Sequence, residues 1–183
     1  MEPVTPAAAT EQILDDLFIA QADRPAHLQA LDLASLTPFQ RALLVIDGTV
    51  TQFLEAYTME PVETLRIDQQ TQDLDADHPW LQASSGAPTV SRHVLMRGVH
   101  SGVEYARADS LLVWDRLPPV LQNGLQMNGE SMGRLLLRSQ LETRREMLWY
   151  GVEAQTQCIC RTYRILAGGK PLTLISEHFP LHP

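Results

Sequence analysis

The sequence predicts an α+β protein with a mainly antiparallel β-sheet flanked by helices, and three observations carry that prediction. Strand-like runs cluster in the second half of the chain without the alternating helices that a parallel sheet needs. Within that half, "VSRHVLMRGVHSGVEYARADSLLV" (residues 90–113) reads as a β-hairpin turning at His100, Ser101 and Gly102. Near the end, "TRREMLWYG", "CICRTYRILAGG" and "PLTLISEHFP" read as successive strands, the last two joined at Gly168, Gly169 and Lys170.

The elements follow in order. Residues 1–8 read as a loose tail, and "TEQILDDLFIAQ" offers Thr10 as a cap with Ile13, Leu14, Leu17 and Phe18 at helical spacing. In "LTPFQRALLVIDG", Thr37 caps, Pro38 suits the first helical position, and Gly48 follows the last turn. "TVTQFLEAYT" continues as a short helix capped by Thr49 or Thr51 and interrupted by Pro61. "VETLRI" alternates as a strand does, and residues 68–89, polar and rich in breakers, read as a long loop. After the hairpin come a short "PPVLQNGLQ" helix and a "SMGRLLLRSQL" helix capped by Ser131. No internal repeat is present, and 183 residues suit a single domain over 1–183 with a substantial core.

Composition narrows the function classes. The net charge is −8, and the 14 basic residues form no run, which argues against nucleic acid and anionic membranes as partners. Lys170 is the sole lysine and sits in a turn, so Schiff-base chemistry has little to work with. No apolar stretch approaches the length of a membrane span, and the start lacks a signal-peptide pattern. Cys158 and Cys160, two apart on one strand face, are poorly placed to bond to each other and suggest a reducing, cytoplasmic setting. His93, His100, His178 and His182 have no ligand partner at metal-site spacing, and nothing in the pattern sets a His beside either cysteine, so no metal site is predicted. Phosphate-loop, dinucleotide and nucleophile-elbow motifs are all missing.

Two charged residues break the pattern. In the final strand, Thr173, Ile175, Glu177 and Phe179 share one face while Leu172, Leu174, Ser176 and His178 share the other, and both faces begin apolar. A strand of that kind is expected to be covered on both sides, leaving Glu177 buried. In the hairpin, Arg92 shares a face with Val90, Val94 and Met96. Buried charges persist only when partnered or when a ligand completes them. The alternation leaves two readings open: Arg92 and Glu177 pair with each other, or they line a closed pocket. In the second reading Arg92 grips a substrate carboxylate with its planar fork, and Glu177, its pKa raised by apolar neighbours, acts as general acid or base.

"DGTVTQFLEAY" (47–57), "SRHVLMRG" (91–98), "SLLVWDRLP" (110–118), "MGRLLLRSQLETRREMLWYG" (132–151) and "TYRILAGGKPLTLISEHFP" (162–180) resemble, in this order, the divergent branch of the chorismate lyase (4-hydroxybenzoate synthase) family. The resemblance implies a compact antiparallel sheet enclosing a buried ligand cavity under helical flaps. It also implies a cofactor-independent conversion of chorismate to 4-hydroxybenzoate and pyruvate, with a quinone or a phenolic lipid downstream. By motif, Arg92 matches the arginine that grips the aromatic carboxylate and Glu177 the glutamate at the ring-hydroxyl end. Val50 and Met132 match two positions whose backbone amides also hold the carboxylate. The chain departs from the better-studied branch in its "DGTVT" motif and in His178, which stands where that branch has an apolar residue. Arg97, Arg161 and Arg164 are candidates for the enolpyruvyl carboxylate. The same fold also serves as the effector-binding domain of regulators that carry an N-terminal winged helix, which the roughly thirty residues before the match are expected to be too few and too acidic to supply. A further reading keeps the lyase fold with another chorismate-derived acid as substrate.

Overall fold

Two antiparallel three-stranded meanders, joined edge to edge, make up most of the computed structural model, which describes residues 14, 16–126 and 131–181. The first meander is β2 (Val62–Asp73), β3 (Pro88–Gly98) and β4 (Glu104–Val113). The second is β5 (Arg144–Glu153), β6 (Cys158–Ala167) and β7 (Lys170–Pro180). A two-residue β1 (Leu28–Gln29) adds to the free edge of β5, giving the order β1-β5-β6-β7-β4-β3-β2 with every pairing antiparallel. The predicted α+β class and antiparallel sheet are therefore what the chain adopts. β7 lies at the centre, paired to β4 on one side and to β6 on the other.

Among the described residues, four helices cover one face of the sheet: α1 (Pro38–Val45), α2 (Val50–Thr58), α3 (Pro119–Gln126) and α4 (Met132–Ser139). α1 begins as expected, with Thr37 Oγ1 accepting from the Gln40 amide while Gln40 Oε1 accepts from that of Thr37. It ends at Val45 because Ile46 is already extended, three residues before Thr49, which stands at the N-cap position of α2 without a capping side-chain hydrogen bond. Ser131 Oγ accepts from the Arg134 amide and starts α4. The core lies between the helices and the sheet, where Leu43, Leu44, Leu54, Leu121 and Leu125 pack on Ile159, Ile165 and Phe179.

Three expectations need correction or fall outside the structure. The polar stretch 68–89 is a loop only in its middle: β2 runs on to Asp73 and β3 starts at Pro88. β2 is an edge strand that needs no apolar pattern at its exposed end, and a bulge at Ile67 shifts its register with β3 by one residue. The face of β7 carrying Leu174, Ser176 and His178 is only half-buried. The tail at 1–8 and all but positions 14, 16 and 17 of the first expected helical stretch up to Leu17 lie outside the described residues.

Candidate active site

The covered face of the sheet carries two rows of neighbouring side chains. One runs Val94, Ala108, Glu177, Arg161, Tyr150 across β3, β4, β7, β6 and β5, and the next runs Arg92, Ser110, Ile175, Tyr163, Met147. Both charged residues singled out by alternation are inside: Arg92 is 2% exposed and Glu177 is 4% exposed. Strand spacing of about 4.8 Å and a rise of about 3.3 Å per residue set their Cα atoms roughly 12 Å apart. Between them β4 presents only Ala108 and Ser110, which leaves the floor low.

Glu177 takes its counter-charge from the adjacent strand. Arg161 Nε donates to Glu177 Oε2 at 2.7 Å, and the Tyr163 hydroxyl donates to Oε1 at 3.0 Å. Arg161 is itself wholly buried and also donates through Nη1 to the carbonyls of Leu44 and Ile46, so the last turn of α1 is fastened to the ion pair. Burial, reinforced by the neighbouring carboxylate, pushes the Tyr163 phenol well above its ordinary range, so it remains a hydrogen-bond donor. Each carboxylate oxygen still has a second acceptor direction. Glu177 is thus paired with Arg161, a partner that neither reading of the alternation named.

Arg92 stands in a different field. Burial, with the like charge of Arg66 added, lowers its pKa to about 10, which still leaves it cationic at neutral pH. It lines the same cavity as Glu177, together with Val94, Tyr163, Ile175 and the first turns of two helices. Those turns contribute Gly48 to Thr51 from the start of α2 and Ser131 to Gly133 from the start of α4. Val50 and Met132 are the first residues of their helices, where backbone N–H groups have no partner within the helix. Two positive helix ends and a guanidinium therefore surround one chamber, a field that favours an anion. The two helices are linked, because Arg134 Nη2 on α4 donates to Glu55 Oε1 on α2 at 2.6 Å.

The chamber itself is contracted to about 40 Å³, enough for a few water molecules. A thin wall at Gly48, Thr49 and Gly133 separates it from an open groove of about 480 Å³ that shares Arg145 and Ile165 with it. A Cβ on Gly133 would come within 2.8 Å of the Thr49 side chain, so only glycine lets α4 approach this closely. Arg145 spans the wall: its Nη1 meets the exposed Asp47 at 3.0 Å and its guanidinium lies 5.0 Å from the Tyr163 ring centre.

Of the arginines weighed for a second carboxylate, none stands at this mouth. Arg97 is paired with Glu63 at 2.7 Å, Arg164 with Glu146 at 2.7 Å, and Arg161 is committed to Glu177. Sequence reasoning missed Arg145 because a bulge between Met147 and Trp149 reverses the phase of β5. Read back from Tyr150, simple alternation assigns Arg145 to the wrong face.

Comparison with known proteins bears on this geometry. Residues 44–182 match the model of the family described as chorismate pyruvate-lyase Rv2949c-like. The chain belongs to that family. A curated member from Mycobacterium leprae (strain TN), named chorismate pyruvate-lyase, is 28% identical over 152 residues, covering 76% of this chain and 72% of its own. One of the same name from Mycobacterium tuberculosis (strain H37Rv) is 24% identical over 155 residues, covering 76% and 78%. Among solved structures, PhnF from Mycobacterium smegmatis aligns with a TM-score of 0.57 at 12% identity, covering 96% of this chain and 94% of that one. Its effector domain aligns at 0.54 with 13% identity, covering 73% and 88%. At that identity the likeness is one of fold, which this lyase family shares with the effector domain.

Proposed function

We propose that this protein is a chorismate pyruvate-lyase that releases 4-hydroxybenzoate and pyruvate without a cofactor. The observation that carries the reading is the burial of Arg92 and Glu177 on one sheet face, at two ends of one chamber floored by Ala108 and Ser110. Family membership and the names of the curated relatives support it.

Arg92 anchors the ring carboxylate by two parallel hydrogen bonds, assisted by the amides of Val50 and Met132. The ring then lies over the low floor with its hydroxyl-bearing carbon towards Glu177. The C–O bond to the enolpyruvyl group breaks, its electron pair leaves with the oxygen as an enolate, and the proton on the neighbouring ring carbon is lost as the ring becomes aromatic. Glu177 accepts that proton and orients the hydroxyl, while the enolate takes up a proton on its methylene carbon to become pyruvate. Arg145, at the mouth, holds the carboxylate of the departing group. Aromatisation drives the reaction, so the protein's contribution is orientation, proton transfer and exclusion of water. Small-molecule pockets typically reach ~300 Å³ or more, so the lid helices α2 and α4 must withdraw to admit the ring and close again over it.

The likeness to the PhnF effector domain favours one alternative, binding of a small carboxylate without reaction. Incubation of the purified protein with chorismate separates the two. Equal amounts of 4-hydroxybenzoate and pyruvate are expected, with kcat/KM lowered about 10²-fold or more in both Arg92→Ala and Glu177→Gln. Chorismate bound and recovered intact, or parental turnover in both variants, would reject the lyase assignment.

A further inference from the structure

The opposite face of the same strands holds a second cluster. Cys160 and His178 are direct cross-strand neighbours on β6 and β7, and Cys160 Sγ lies 3.1 Å from His178 Nδ1. Glu153, on β5, reaches across so that its Oε2 stands 4.0 Å from the same nitrogen. One ligand atom from each of the three falls within 4.8 Å of the others. The far ring nitrogen, Nε2, faces the Asp109 carboxylate at 3.2 Å, and Asp109 is in turn 2.6 Å from His93. Glu153 and His178 line an open groove of about 490 Å³, and Cys160 lies buried beneath them.

We propose that Glu153, Cys160 and His178 form a binding site for a zinc-class divalent cation on the sheet face behind the chamber. A tetrahedral zinc ion with bonds of about 2.0–2.3 Å holds its ligand atoms ~3.5 Å apart. The observed separations of 3.1 Å and 4.0 Å lie on either side of that value. One thiolate, one imidazole and one carboxylate form a donor set suited to zinc and its tetrahedral surrogate cobalt(II), and unsuited to the all-oxygen preference of magnesium or calcium. A carboxylate facing the other nitrogen of a ligating histidine is the usual arrangement around such an ion, fixing the ring and strengthening the donor. Asp109 has that position. A water from the groove completes the coordination. Binding replaces the proton on Nδ1 and that on the thiol.

The occupied site would tie β5, β6 and β7 together directly behind Arg161 and Glu177, each of which is the chain neighbour of a ligand. The site stands whether or not the protein is a lyase, and its test does not use turnover. The metal-stripped full chain is titrated with cobalt(II) and, in competition with a chromophoric chelator, with zinc. A thiolate-to-cobalt absorption band at one equivalent is expected, lost in Cys160→Ser and unchanged in Cys158→Ser. Glu153→Gln, at the solvent edge and tolerant of folding, should weaken zinc binding tenfold or more. The proposal is overturned if the parent gives no such band, if the band survives in Cys160→Ser, or if Glu153→Gln binds zinc as the parent does.

Discussion

Two side-chain pairs sit back to back on one pair of strands. Arg161 and Glu177 face the helices, and Cys160 and His178, one residue away on each strand, face outward. The backbone ladder is the same and the surroundings differ. The inner pair is removed from water and bonded on several sides, with Arg161 also gripping the end of α1 and Tyr163 also serving Glu177. In the outer pair Cys160 is buried, while His178 keeps part of its ring exposed and is bordered by Asp109 and Glu153. Bonds on several sides thus make one pair a fixed part of the frame, while the other reaches solvent through His178.

The severest break of this contrast is Arg161→Met, which strands the Glu177 carboxylate and frees the end of α1. A loss of about 3–5 kcal/mol is expected, read by urea or thermal unfolding. A loss below about 1 kcal/mol would mean that the inner pair is no more committed than the outer. Arg145→Gln leaves the frame in place and removes the cation at the chamber mouth. KM for chorismate should rise about tenfold, a cost of ~1.4 kcal/mol, with unfolding nearly unchanged.

A pH-dependent effect belongs to the outer pair. Burial by itself would lower the His178 pKa from its ordinary 6.5, but its contacts with Asp109 and Cys160 outweigh burial and raise it to about 10. A pKa higher in the folded state stabilises fully below pH 6.5 and ceases to do so as pH rises through about 10. In chelator-treated protein, the melting-temperature gap between parent and His178→Asn should therefore narrow steadily across that window. A gap constant with pH would detach His178 from its acidic neighbours.

Alternation found Arg92 and Glu177 because burial of one strand face is a local, period-two signal. The same signal was present in "CICRTYRIL", where Arg161 falls between Ile159 and Tyr163, and it identifies the third buried charge. What it could not supply was register. Which residue of β6 faces Glu177, and that Cys160 meets His178, depends on how two strands slide past each other, and neither strand records that alone. Arg145 was hidden for a related reason, a bulge that shifts the phase midway along β5. The polar end of β2 was misread because an exposed edge strand carries no apolar stripe.

The central placement of β7 governs how this molecule is made. Each meander can pair internally as it leaves the ribosome, yet the seam between them is β7 against β4, so the sheet stays divided until residues 170–180 have been synthesised. Arg92 belongs to the early half and Glu177 to that seam strand, so a nascent chain has no working chamber. Its two halves present open edges meanwhile, which makes the interval before β7 docks the period of greatest exposure to misassembly.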